Sequence, residues 1–212
     1  MQITDTIFIL VVLIFSAIIH EVMHGVAAEW LGDKTARYAG RITLNPLPHL
    51  DPIGSILLPL MLSLTHSPIW LAWAKPVPYN PYNLRADGLF RRWSEAIVAG
   101  AGPASNLVLA ILCGIVIRLG VLGVEINSAL FIVVLINVML FMFNLIPVPP
   151  LDGSKLLAAI LPRGLAYQYG KVRAVLEMNP IAGMMVIILF IIGFGSYYSA
   201  IIYGVANLIA GV

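Results

Sequence analysis

The stretch IFILVVLIFSAIIHEVMHGVAA, residues 7–28, sets the terms for the whole chain. Ile7 to Ile19 is apolar apart from Ser16, and then His20, Glu21 and His24 break the pattern. The surrounding apolar run, 3–31, exceeds the ~20 residues a helix needs to cross hydrocarbon. A charged side chain at mid-helix costs about 2.5–3.5 kcal/mol there, so an ionisable triplet in such a run implies a use. The spacing suggests which use. His20-Glu21-Val22-Met23-His24 matches H-E-x-x-H, and a helix sets its two histidines one turn apart on one face, where both imidazoles can grip one metal ion. Glu21 falls about 100° from His20 and about 60° from His24, so its carboxylate can flank an open coordination position. On a solvated helix the same five residues would be a common accident; the apolar setting gives them weight.

Working outward, the composition agrees with a bilayer. Of 212 residues, 60% are hydrophobic and 10% charged, with a mean hydropathy of +0.97. Apolar runs at 3–31, 52–74, 96–119, 127–145 and 181–212 predict an all-α polytopic membrane protein with about four to six membrane helices, forming one integral membrane domain over 1–212 with its core in 1–160. The N-terminal run lacks the basic flank of a signal peptide and is expected to be a permanent span. The formal charge of +2 is too small to suggest nucleic acid, so the expected partners are the lipid bilayer and a membrane-protein or peptide substrate. The single cysteine, Cys113, lies in an apolar run and is expected to serve packing.

Two segments depart from plain helix. Residues 52–74 carry Gly54, Pro59, His66 and Pro68 within barely enough length to cross, and predict a re-entrant segment that turns back. Residues 36–44, with Tyr38, Ile42 and Thr43 among small residues, predict a short strand or β-hairpin near the site, whose edge could pair with an unwound substrate. The linker 74–81 is proline-rich and extended.

A catalytic metal needs a third protein ligand. Glu29 lies about 140° from His24 around the helix, and Asp51, before a proline, fits turn capping. Asp152, in N-L-I-P-V-P-P-L-D-G at 144–153, follows a long apolar run broken by three prolines and is the best candidate. His49 and His66 are expected to be ordinary loop histidines. Trp70, Trp73, Tyr79 and Tyr82 are expected to form an interfacial belt.

H-E-V-M-H at 20–24, G-A-G-P-A-S-N at 100–106 and N-L-I-P-V-P-P-L-D-G at 144–153, in this order and each in an apolar segment, resemble the site-2 protease family of intramembrane metallopeptidases, in a compact form without PDZ or nucleotide-sensing modules. The resemblance implies that His20, His24 and Asp152 bind one catalytic Zn2+, that Glu21 is the general base and acid, and that Asn144 contacts the substrate backbone. The implied activity is zinc-dependent cleavage of peptide bonds within or near transmembrane segments. Gly100, Gly102 and Asn106 are expected to serve close helix packing. The alternative is a membrane transporter or inactive scaffold using the same polar residues.

Zinc chemistry requires the two halves of the site to share one membrane face. With 52–74 turned back, Lys34, Arg37, Arg41, Lys75, Arg85, Arg91, Arg92, Lys155, Arg163, Lys171 and Arg173 share one face and only Arg118 lies opposite, eleven of twelve basic residues. The positive-inside rule then predicts a site opening toward the cytoplasm, in a multi-pass protein of the cell membrane.

Overall fold

The computed structural model describes residues 3–57, 61, 74–85 and 91–212. It is all-α. In chain order the helices are α1 (Ile3–Trp30), α2 (Thr35–Tyr38), α3 (Arg91–Arg118), α4 (Val124–Asn144), α5 (Gly153–Ile160), α6 (Arg163–Met178) and α7 (Pro180–Ala210). Among the described residues, four segments have the length and apolarity to cross a membrane: Thr6–Trp30, Trp93–Arg118, Val124–Asn144 and Ile181–Ala210. These correspond to four of the five apolar runs in the sequence. The fifth, 52–74, lies outside the described residues except for a π-helical turn at Pro52–Leu57 and residue 61, and so do His66, Trp70 and Trp73.

α1 and α3 are antiparallel. Ala27 and Ala28, late in α1, pack with Val98, early in α3, and with Leu84. Deeper in the bundle, Asn106 Nδ2 donates to Ser16 O. The connection from 31 to 90 therefore leaves and re-enters at the same end of this pair. α4 returns toward that end, and α7 starts there, with Gly183 close to Pro149 O, and ends beside the far end of α3. There the Arg118 guanidinium donates to Ile209 O at 2.9 Å and to Leu208 O, capping the last carbonyls of α7 with a cation. Ala110, Ile117, Val134, Val138, Ile202 and Ala206 fill the space between α3, α4 and α7, with Cys113 packed against them as expected. Gly114 makes the α3–α7 approach possible, since a Cβ there would sit 2.7 Å from Ile209 O.

No strand occurs among the described residues, and all of 36–44 is described, so the expected hairpin is corrected to one helical turn followed by a series of bends. Local signals explain the difference. Asp33 Oδ1 accepts from Thr35 N at 3.2 Å and Thr35 Oγ1 at 2.6 Å, starting α2. Ala36 is buried against Gly25, and Gly40, at φ +66°, stops the turn in the left-handed region. Beyond it, Asn45 N donates to Thr43 Oγ1 and Leu47 N to Asn45 Oδ1, holding the backbone in turns.

The linker Ala74–Asn80 is extended, as its prolines predict, and is strapped down along its length. Lys75 N donates to His49 O at 2.9 Å, Arg41 Nη2 donates to Lys75 O at 2.6 Å, and Asn80 N donates to Asp33 Oδ2 at 2.7 Å. Asn83 Nδ2 adds a bond to Asp33 Oδ1 at 3.0 Å. Asp33 is fully buried. Burial alone would raise its carboxyl pKa, but the hydrogen bonds from Thr35, Asn80 and Asn83 outweigh it and hold the group below its ordinary value. A depressed carboxyl stabilises the fold above the pKa of the unfolded chain, and that contribution is lost as pH falls through the folded value. Asp33→Ala is therefore expected to lower stability by about 2–3 kcal/mol at neutral pH, with the gap to wild type closing below about pH 4 in thermal-shift measurements.

Candidate metal centre

α1 and the turn after α4 bring three donors to one point. His20 Nε2 and His24 Nε2 each lie 3.2 Å from Asp152 Oδ2, and the two Nε2 atoms are 3.1 Å apart. All three residues are buried or nearly so, with exposures of 6%, 9% and 8%. The far sides of the rings decide what this triangle is. His20 Nδ1 donates to Asn106 Oδ1 at 2.7 Å, and His24 Nδ1 donates to the Val98 carbonyl at 2.7 Å. A carbonyl can only accept, so both Nδ1 atoms carry hydrogens and, in the neutral rings, both Nε2 atoms present lone pairs. In that neutral state two imidazole lone pairs and a carboxylate oxygen face one another, an arrangement that a metal cation would resolve. Ligands of a tetrahedral ion with ~2.05 Å bonds stand about 3.3 Å apart, close to this triangle. The donor set fits a divalent metal, and no other group of three such side chains with this convergence occurs among the described residues.

α3 comes close to both rings by having no side chain there. A Cβ on Gly102 would lie 2.5 Å from His24 Nε2 and 2.6 Å from His20 Nε2, against the nitrogens that face Asp152. The imidazoles cannot swing aside without breaking their Nδ1 bonds. Gly102 thus does more than the helix packing expected of it: it leaves both Nε2 atoms uncovered.

Burial would raise the Asp152 carboxyl pKa, but the two histidine rings beside it and the Lys155 ammonium hold it well below the usual carboxylate range, so Asp152 is anionic. Gly153 makes its turn possible, because a Cβ there would collide with the Leu145 carbonyl. The two rival carboxylates have other partners, Asp51 in the turn expected of it. Glu29 pairs with Arg37, and Asp51 Oδ1 accepts from Gly54 N at 2.6 Å.

A cavity of about 170 Å³ opens beside the triangle, lined by Glu21, Asn144, Lys155, Val77 and Tyr79 among others. Glu21 Oε2 accepts from Val77 N at 2.8 Å. Proline has no N–H, so within Pro76-Val77-Pro78 this is the one backbone donor, and the strap presents it to the carboxylate. Asn144 Nδ2 donates to Leu140 O within α4 while the residue borders the cavity. Lys155 Nζ sits 5.3 Å from the centroid of Tyr79, which also lines the cavity. His49 lies apart, with Nε2 against Thr43 O, as a loop histidine. Three features escape a reading of the sequence: the Val77 N–H, the Lys155 ammonium and the Asn106 bond to His20. The last had a visible cue, an uncompensated amide in an apolar helix.

A family model described as peptidase family M50 matches residues 120–192, which include Asn144 and Asp152. YwhC of Bacillus subtilis (strain 168), which carries a provisional zinc metalloprotease name, is 34% identical over 200 residues, covering 90% of this chain and 83% of its own length. The chain belongs to peptidase family M50. Rip2 of Mycolicibacterium smegmatis (strain ATCC 700084 / mc(2)155), with a name of the same kind, is 31% identical over 156 residues, 69% of this chain and 55% of its own length. No solved structure matches. M50 membership makes the chain a metalloendopeptidase, and with its four apolar spans it is an integral membrane protein.

Gly102→Ala is expected to abolish metal binding while helix content persists. Metal analysis of the purified variant should read background, and full occupancy would contradict the role given to the missing side chain.

Proposed function

We propose that the protein is a zinc-dependent intramembrane endopeptidase that cleaves membrane-protein substrates within or near their transmembrane segments. The observation that carries this reading is the depth of the donor triangle. His20 and His24 lie ten and six residues before the end of α1, roughly 15 Å and 9 Å at 1.5 Å per residue, inside a helix apolar enough to span. A soluble peptide has little reason to reach that level; a membrane helix is already there.

On this reading His20, His24 and Asp152 hold one zinc ion, which when bound supplies Lewis acidity to carbonyl and water oxygens. Glu21, with its orientation supported by the Val77 N–H, takes a proton from the attacking water and returns one to the leaving amine nitrogen. Asn144 faces the cavity and holds the substrate backbone. A helical substrate hides its peptide groups in i to i−4 bonds and must unwind first. The hairpin edge expected to receive it does not exist among residues 36–44, and the strap offers little edge in its place, since Lys75, Val77 and Asn80 have already spent their N–H groups.

The re-entrant reading of 52–74 draws support from the antiparallel α1–α3 pair, because a single full crossing would deliver the chain to the wrong end. The connections at the site end carry eleven of the twelve Lys and Arg residues, which supports a site opening toward the cytoplasm.

Glu21→Gln is expected to reduce cleavage of a reconstituted transmembrane substrate by about 10²–10⁴-fold, with zinc retained. Wild-type protein that cleaves without zinc, or a variant that cleaves normally, would overturn the proposal.

A further inference from the structure

Ser16 in α1, Asn106 in α3 and Asn137 in α4 meet at the centre of three membrane-crossing helices, with exposures of 4%, 0% and 1%. Polar groups at this depth are costly unless they bond to one another, and these do so completely enough to fix a direction. Asn137 Nδ2 donates to Val133 O at 2.9 Å and to Ser16 Oγ at 3.0 Å. That leaves its Oδ1 facing α3, where it accepts from Asn106 Nδ2 at 2.9 Å. Asn106 Nδ2 also donates to Ser16 O at 3.2 Å, and Asn106 Oδ1 is left to accept from His20 Nδ1.

The polarity of this chain of bonds is set at its far end. Val133 O and Ser16 O are backbone carbonyls and only accept. Flipping the Asn137 amide would put oxygen against Val133 O, and flipping Asn106 would put oxygen against both Ser16 O and Asn137 Oδ1. A flipped Asn106 would in turn present an N–H donor to His20 Nδ1, which would then accept, move its hydrogen to Nε2 and remove one of the three lone pairs at the centre.

We infer that Asn137 is a positioning residue for the metal centre: through Asn106 it holds His20 in the tautomer whose Nε2 lone pair faces Asp152. This rests on the proposed metal reading for its consequence, but the tautomer itself can be measured without metal. Partners that orient a metal-bound histidine typically change affinity or activity by 10–100-fold when lost. Asn137 does not touch the histidine and acts one residue removed, so the lower end of that range applies.

The test uses the full chain in detergent, with ¹⁵N-labelled imidazoles in the metal-free protein and zinc affinity from chelator competition. The chain has four histidines, so the His20 signals can be assigned by difference. Wild type should show His20 protonated at Nδ1. Asn137→Leu should introduce the Nε2-protonated form and weaken zinc binding about tenfold; Asn137→Ser, less disruptive to folding, should shift both readouts the same way. Asn127→Leu removes a half-buried amide from the same helix, whose Nδ2 donates to Leu122 O, and should change neither readout even if it costs stability. An unchanged His20 tautomer in both Asn137 variants overturns the inference, whether or not zinc affinity falls. A shifted tautomer in protein whose wild type binds no zinc would uphold the positioning role and refute the metal reading.

Discussion

Three electron-pair donors converge at a buried point, and with both rings neutral no proton stands between them. His20 Nε2, His24 Nε2 and Asp152 Oδ2 are mutually 3.1–3.2 Å apart, and each histidine is turned inward by a bond on its other nitrogen. Left without a cation the arrangement is repulsive and its desolvation uncompensated, a state that buried charges avoid. The rest of the fold can be understood as what that convergence requires. α1 supplies two donors one turn apart, α3 runs antiparallel against it and supplies both Nδ1 acceptors, and its Gly102 leaves the centre empty of side chain. α4 delivers the chain to the same end, where a turn of prolines and Gly153 brings Asp152 down to the pair.

The strap Ala74–Asn80 is the second organising element. Its anchors are polar and specific: the Asp33 carboxylate at one end, Arg41 and the His49 carbonyl at the other. Between them the prolines fix the backbone so that Val77 offers its N–H to Glu21. The cavity wall that faces the proposed general base is thus built from main chain held by side chains on α1 and the loops after it. This ties the described strap between α1 and α3 to the cavity beside Glu21.

Much of this was legible in the sequence. The four spans follow from run length and apolarity, and His20, Glu21 and His24 follow from helical spacing in a setting where ionisable groups are expensive. Asp152 could be chosen over Glu29 by the angle around α1 and over Asp51 by its turn-capping position, and the structure shows Glu29 paired with Arg37 and Asp51 capping a turn. Residues 36–44 misled because Tyr38, Ile42 and Thr43 suggest a strand, whereas Asp33 before Thr35 and Gly40 after Tyr38 are the start and stop of a helical turn. Backbone donors such as Val77 N–H have no side-chain signature to read. The Asn106–Asn137 bond joins residues 31 apart in sequence on different helices, and no periodicity along one helix can reveal such a pair. Gly102 was visible as a small residue suited to close approach, but only the positions of both imidazoles show what approaches it.

The central claim is the identity of the metal and its ligands, and zinc K-edge X-ray absorption on the purified full-length chain addresses it most directly. The expected first shell is two imidazole nitrogens and carboxylate or water oxygens at about 2.0–2.2 Å, with no sulfur. Zinc without imidazole scattering, or bound through the thiolate of Cys113 at about 2.3 Å, would contradict it.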